Sequence, residues 1–376
     1  MVMRRRVLVV LAAVVALAVG ATSCQAPTRL VVTPVVNGLD RPWDIAYIPN
    51  GPMMVTERPG PVNIIRFDGS QQEVARPADV VAQSEGGMMG LAVDPNFATN
   101  RRVYTCFMSN KSGALDVRVV RWRLNPAGTA LDSRADIVTG IPVSTSQPGR
   151  HSGCRLRFGP DGYLWVTTGD AVSATAPQDK QSLGGKVLRV DGDGNGHPGN
   201  PGGALDKRIF SYGHRNPQGI AFRPSDNLPV AVEHGTGCDD EINALQPGGN
   251  YGWDPRRLNG QPGYDESRPM TDFVRHPGAI GSMWSSGCPT IAPSGATFLN
   301  GPQWSLWGNG LAVAVLKDQQ LRVMKFDNPD NTLSEQWIRV TDQGRLRVAV
   351  QGPDGNLYVA TDASPGKILR IEPKYD

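Results

Sequence analysis

One phrase returns six times along this chain of 376 residues: a proline turn with glycine close behind, then a short apolar run that alternates. The clearest copies are Pro49-Asn50-Gly51 before Met53-Met54-Val55, Pro160-Asp161-Gly162 before Tyr163-Leu164-Trp165-Val166, and Pro353-Asp354-Gly355 before Asn356-Leu357-Tyr358-Val359. Weaker copies begin at Pro95, Pro224 and near Pro293, leading to Val103-Tyr104, Pro229 to Val232 and Leu311 to Val315. Proline fixes φ and glycine or asparagine accepts φ > 0, so the phrase is turn chemistry. The alternation that follows reads as a half-buried strand. Each copy leads into a second strand-like stretch, such as Val62 to Phe67, Lys186 to Val190 and Lys367 to Ile371. The copies are spaced by 46 to 69 residues, a period that fits the blades of a propeller. A single blade cannot bury both faces, so the blades must close into a ring. The expectation is an all-β, six-bladed β-propeller over 38–376. A two-sheet sandwich would not explain the regular return of the phrase, and no linker divides the repeat array.

Composition agrees with that reading. The 44 glycines and 31 prolines make up a fifth of the chain, while only 19% of residues are charged, as expected of many short strands joined by turns.

The N-terminus carries a different message. Arg4, Arg5 and Arg6 precede an apolar run from Val7 to Val19, and Ala21-Thr22-Ser23 supplies small residues before Cys24. This is the plan of a signal peptide over 1–23. The run is 13 residues long, short of the roughly 20 that span a bilayer as a helix. A cysteine directly after small residues resembles a bacterial lipobox, although Ala21 stands where leucine is commoner. The expectation is export, lipidation at Cys24, a tether over 24–37 and anchoring to the outer face of the bacterial cell membrane. The formal charge of the whole chain is +3, and residues 1–23 hold three arginines and no acid, so the remainder is about neutral. No basic run would follow a phosphate backbone, which argues against a nucleic-acid partner. Cys106, Cys154, Cys238 and Cys288 permit two disulfides in an exported chain, with three connectivities left open. No CxxC spacing suggests structural zinc.

Four loops carry residue types that bind or react. Arg150-His151-Ser152-Gly153 puts an imidazole, a general base near neutral pH, on a glycine-flanked loop. Gly213-His214-Arg215-Asn216-Pro217-Gln218-Gly219 offers a guanidinium and an amide to an oxygen-rich ligand. Glu233 to Asn243 combines carboxylates with glycine-rich backbone, the donor set of a hard cation such as Ca²⁺. Arg345 and Arg347, two apart on a strand, share a face and, with Lys317, would either clamp an anionic ligand or decorate a solvated edge. Asp191-Gly192-Asp193-Gly194-Asn195-Gly196 copies half an EF-hand loop, but Gly202 stands at position twelve where a bidentate glutamate is needed, so it reads as a turn.

These loops together resemble the soluble PQQ-dependent sugar dehydrogenases, the glucose/sorbosone dehydrogenase family. The resemblance runs from Gly38-Leu39-Asp40-Arg41-Pro42-Trp43 to Arg370, through Glu85-Gly86-Gly87-Met88-Met89-Gly90, His151 to Asp161, Gly213 to Gly219, Asn250-Tyr251-Gly252-Trp253 and Pro289-Thr290. It implies a six-bladed propeller that oxidises an aldose to its lactone with PQQ and Ca²⁺, passing electrons to an acceptor. His151 would be the general base, with Arg215 and Asn216 on the quinone oxygens. Lys317, Arg345 and Arg347 would hold the cofactor carboxylates, with Thr290 adding a hydrogen bond. The carbonyls of Gly235 and Thr236 would hold the Ca²⁺, and Glu241 would belong to a separate structural calcium site. Three residues depart from the family pattern: Cys288 replaces a tryptophan that packs on the cofactor, Glu85 replaces a glutamine, and Arg150 replaces an aspartate. Glu85 and Arg150 are therefore candidate substrate residues. Cys154 replaces a glycine, which suggests a Cys154–Cys288 disulfide across the mouth. The alternatives are a non-catalytic propeller kept as a binding or scaffold module, favoured by the missing tryptophan, and a calcium-dependent lactonase, which would need side-chain ligands converging on the channel.

Overall fold

The computed structural model describes residues 25–375 apart from 112, 328 and 329; the signal segment and Cys24 lie outside the described residues. Six antiparallel four-stranded sheets form six blades. Blade 1 comprises Pro42–Tyr47, Met53–Glu57, Val62–Ile65 and Gln71–Ala75. Blade 2 comprises Met88–Val93, Arg102–Ser109, Asp116–Leu124 and Leu131–Ile141, and blade 3 Leu156–Phe158, Leu164–Thr168, Lys186–Val190 and Ile209–Tyr212. Blade 4 comprises Pro217–Phe222, Pro229–Glu233, Glu241–Ala244 and Trp284–Ser285, and blade 5 Pro293–Phe298, Leu311–Val315, Gln320–Asp327 and Thr332–Arg339. Blade 6 combines Leu346–Gln351, Leu357–Thr361 and Gly366–Lys374 with Arg29–Leu39 from the other end of the chain. The first strands of successive blades touch one another all the way round and line the axis.

Every copy of the repeated phrase falls on the second strand of a blade, so six copies mean six blades. The turns are built as their residues require. Gly162 and Gly355 both take φ +76°, and in the first copy Asn50 takes the left-handed position instead. The second strands, expected to be half-buried, are buried on both faces: Met53 to Glu57, Leu164 to Thr168 and Leu311 to Val315 are buried throughout. The reason is that each blade is covered by a neighbour on either side. Six apolar clusters fill the six gaps, one between each adjacent pair of blades.

The expected tether over 24–37 is largely strand. Arg29–Leu39 pairs with Gly366–Lys374 along its length, from Arg29 opposite Lys374 to Leu39 opposite Gly366. Buried Val36 and Leu39 join the cluster between blades 6 and 1, which draws the segment onto the ring and closes it.

The disulfides are Cys106–Cys154 and Cys238–Cys288, so the expected Cys154–Cys288 bridge is not formed. Cys154 is fully buried in the cluster between blades 2 and 3, facing Cys106 on blade 2. Cys288 is exposed and lies beside the loop after the second strand of blade 4, where Cys238 is its neighbour with 4.4 Å between Cα atoms.

The EF-hand-like loop is a self-satisfied turn. Asp191 Oδ1 accepts the backbone N–H groups of Asp193 and Asn195 at 2.8 and 2.9 Å, and Asp193 pairs with Arg121.

Candidate active site at one mouth of the propeller

In a four-stranded meander the first strand begins, and the second strand ends, at the same edge of the sheet. The candidate residues sit at those two places. Glu85, Arg150-His151, Arg215-Asn216, Thr290 and Arg345 lie just before the first strands of blades 2 to 6, and Arg347 lies within that of blade 6. Gly235-Thr236 and Lys317 follow the second strands of blades 4 and 5. The topology therefore gathers all of them at one mouth.

His151 is buried and takes φ 52°. Its loop can lie flat against blade 3 because residue 169 is glycine: a Cβ there would collide with the His151 carbonyl oxygen. Nδ1 of His151 lies 2.8 Å from Oδ1 of buried Asp170, an acceptor, so Nδ1 carries the proton and Nε2 is left as the basic nitrogen. Asp170 Oδ2 accepts from the indole of Trp253 and the hydroxyl of Tyr264, each at 2.7 Å. Burial works against charge on Asp170, but the His151 ring, the Arg215 cation and the Tyr264 hydroxyl hold its carboxyl below the usual range. Asp170 is thus an ionised residue that fixes the tautomer of the base.

Arg215 donates to Glu266 Oε2 at 2.7 Å and to the His234 carbonyl at 3.2 Å, and stacks over Trp253. Arg150 donates to the other oxygen of the same carboxylate at 2.5 Å and to Gln147 at 2.8 Å. Glu85 lies with the Asn216 group, apart from Arg150's partners: it accepts from Asn216 at 2.8 Å and Gln218 at 3.1 Å. Burial tends to raise its pKa, yet the His151 and His234 rings and the Asn216 amide bring it below the usual glutamate range.

Across the mouth, Arg345 and Arg347 both reach Asp362 Oδ2, at 3.1 and 3.0 Å, and Arg347 also donates to Gln218 at 2.8 Å. Lys317 is exposed and donates to Thr290 at 3.4 Å. At this mouth the Nε atoms of Arg58, Arg215 and Arg347 and Nε2 of His234 are buried with no hydrogen-bond partner among the described residues. A site left short of acceptors suits an anionic ligand rich in carboxylate and quinone oxygens.

The cation donors are of a different kind. No group of three or more His, Cys, Asp or Glu side chains among the described residues is arranged to hold a metal ion. Gly235 is fixed instead by its N–H donating to Asp240 at 2.8 Å, while Asp240 Oδ2 accepts from Ile291 and Ala292 at 2.6 and 2.8 Å. Among the described residues the Gly235 and Thr236 carbonyl oxygens accept no hydrogen bond, which leaves them free as hard oxygen donors. Glu241 is buried beside Glu233, and burial with that like charge pushes its pKa up to about 8. His214 is a satisfied core residue, bonded to Glu233 and Ser211 and stacked on Tyr251.

A family model for Glucose / Sorbosone dehydrogenase matches residues 39–370. The chain belongs to that family. It is 31% identical over 359 residues to the aldose sugar dehydrogenase YliI of Escherichia coli, covering 93% of this chain and 94% of that one. It is 27% identical over 411 residues to quinoprotein glucose dehydrogenase B of Acinetobacter calcoaceticus, covering 88% and 85%. Among solved structures, the PQQ-bound aldose sugar dehydrogenase of Streptomyces coelicolor superposes with a TM-score of 0.75 at 28% identity, covering 93% of this chain and 99% of that one. Membership makes the chain a sugar dehydrogenase of the PQQ-type propeller family, an oxidoreductase acting on a CH–OH donor.

Four residues of the site were not singled out from sequence: Asp170, Asp362, Tyr264 and Glu266. Asp170 and Asp362 carried a usable signal, since each stands directly after a second strand, in Thr168-Gly169-Asp170 and Thr361-Asp362. Tyr264 and Glu266 lie in the long connection between the third and fourth strands of blade 4, where no repeat marks position.

Proposed function

We propose that this protein oxidises an aldose at its anomeric carbon to the lactone, using PQQ and Ca²⁺, outside the cytoplasm. The observation that carries the reading is the His151–Asp170 pair, with its basic Nε2, set beside Arg215 and facing an arc of under-partnered cations. His151 Nε2 takes the proton from the anomeric hydroxyl, and Asp170 stabilises the imidazolium that results. Arg215 and Asn216 place positive charge and hydrogen-bond donors where negative charge develops. Lys317, Arg345, Arg347 and Thr290 would hold the carboxylates of PQQ, and the Gly235 and Thr236 carbonyls would hold Ca²⁺. When bound, PQQ would supply the two-electron acceptor for the hydride that leaves the anomeric carbon. The N-terminal segment supports export and tethering through a lipid on Cys24, so the substrate would be met on the outer face of the membrane.

The test is reconstitution. The soluble part, mixed with PQQ and Ca²⁺, is expected to reduce a redox dye with at least one aldose of a panel. Absence of PQQ binding by absorbance titration would reject the reading. Given turnover, His151→Ala should nearly abolish it with PQQ still bound, and an unchanged rate would remove His151 from the role of base.

A further inference from the structure

The Glu266 carboxylate lies between two guanidiniums from different blades, with Oε1 on Arg150 at 2.5 Å and Oε2 on Arg215 at 2.7 Å. Arg215 is almost fully enclosed, whereas the Glu266 side chain keeps 38% of its surface and Arg150 32%. Each carboxylate oxygen has two acceptor positions, so one arginine bond apiece leaves capacity on both oxygens of a partly exposed side chain. The segment holding Glu266 is fixed at both of its functional residues. Tyr264, two positions earlier, bonds Asp170 at 2.7 Å and stands 3.4 Å from His151 Nδ1, while Asp265 N–H donates to the Pro255 carbonyl at 2.8 Å. The ring of Tyr264 meets Trp253 edge-on at 6.0 Å. A fixed carboxylate with spare acceptor capacity, a partly exposed guanidinium and the partly exposed ring of Tyr264, backed by buried Trp253, are groups that hold a polyhydroxylated ring. Tyr264 ties them to the base.

From this geometry we infer that Glu266 is a specificity-determining residue of the sugar subsite, accepting hydrogen bonds from ring hydroxyls other than the anomeric one, with Arg150 as its partner. The inference rests on the proposed function and adds what decides among sugars. Glu266 selects an aldose with a hydroxyl in reach, because an ionised carboxylate only accepts hydrogen bonds. A site that hydrogen-bonds a hydroxyl discriminates against the analogue lacking it.

The experiment compares wild type, Glu266→Gln and Arg150→Gln, each loaded with PQQ and Ca²⁺, on the best aldose of the panel and its singly deoxygenated derivatives. Glu266→Gln should lower kcat/KM for the parent sugar about tenfold or more, chiefly through KM. For one deoxy sugar the variant and wild type should be nearly equal, because the hydroxyl that Glu266 reads is missing from both comparisons. A penalty of the same size for every sugar would overturn the inference, since a residue that merely props Arg215 would act on all alike. Binding of the corresponding methyl glycoside, which has no free anomeric hydroxyl, is followed by NMR on protein without PQQ. Weaker binding to Glu266→Gln supports the subsite even if the cofactor reading fails; equal binding to both proteins overturns it.

Discussion

On the arc of blades 3 and 4 the carboxylates of Asp170 and Glu266 balance the cations of Arg150 and Arg215: Asp170 bonds His151, and Glu266 gives one oxygen to each arginine. On the arc of blades 5 and 6, Arg345 and Arg347 share one oxygen of the Asp362 carboxylate, and Lys317 has only the Thr290 hydroxyl among the described residues. The first arc has its charges balanced without a ligand, and its hydrogen bonds fix a tautomer. The second holds like charges together with too few acceptors, an arrangement that a multiply charged anion would relieve. Preorganised proton chemistry thus lies on one arc and the excess of cationic charge on the other. The proposed function assigns the proton to the first arc and the cofactor carboxylates to the second.

The most severe way to break this contrast is on the charge-balanced arc. Asp170→Asn replaces the acceptor at His151 Nδ1 and releases the wrong tautomer. A loss in kcat of about 10³-fold or more is expected, with PQQ affinity by fluorescence titration close to wild type. Loss of PQQ affinity with kcat retained would show that Asp170 serves binding instead. On the open arc the pattern should invert. Arg347→Met is expected to weaken PQQ binding about tenfold to a hundredfold, the range of a charge-assisted hydrogen bond, while the rate at saturating PQQ falls much less. If both variants changed the same parameter, the division of labour would be wrong.

A smaller effect should come from the disulfide at the junction of the arcs. Cys238–Cys288 joins the loop carrying Gly235 and Thr236 to the segment carrying Thr290, whereas Cys106–Cys154 is sealed between blades 2 and 3 behind His151. Mild reductant should open Cys238–Cys288 first, because Cys288 is exposed and both Cys106 and Cys154 are fully buried. The bridge spans 50 residues of sequence, so its loss is expected to cost about 4 kcal/mol and lower Tm by about 5 °C. Peptide mapping after partial reduction checks the order, and opening of Cys106–Cys154 first would contradict it.

The same contrast shows what was legible in the sequence. The repeated turn-and-strand phrase was enough for blade number because its prolines and glycines are demanded by local φ, which no tertiary context supplies. Burial on both faces was not legible, because a period of two looks alike whether one or both sides are covered. Nor was the closing strand: Arg29–Leu39 precedes the first turn phrase and finds its partner at the far end of the chain. In the site, His151, Arg215, Arg345 and Arg347 stood out because their residue types are uncommon on glycine-rich loops or paired on a strand. Asp170 and Asp362 are ordinary acids after ordinary strands, and only the meander reveals that strand ends meet. The disulfide pairing failed for a related reason. Proximity in a propeller is set by blade neighbours, and Cys154 faces blade 2, away from the mouth.

The smallest expected effect tests the open arc without any ligand. Asp362 is pulled two ways: burial raises its pKa, while the Arg347 and Arg345 cations and their hydrogen bonds outweigh burial and lower it below 3.8. A carboxyl depressed in the folded state stabilises the fold above its unfolded pKa, and that contribution is lost as pH falls through the folded value. The ligand-free protein should therefore lose part of its stability below about pH 4, near the unfolded aspartate value. Asp362→Asn should show less of that acid loss, at the cost of about 2 °C in Tm at neutral pH, because Arg345 is half exposed and its pair is screened. PQQ added at neutral pH should restore the variant's Tm more than it raises that of wild type, since the ligand then supplies an anion in place of the lost carboxylate. If the ligand raised both equally, Asp362 and the bound anion would not be competing for the same cations, and the arc would not be the open half of the site.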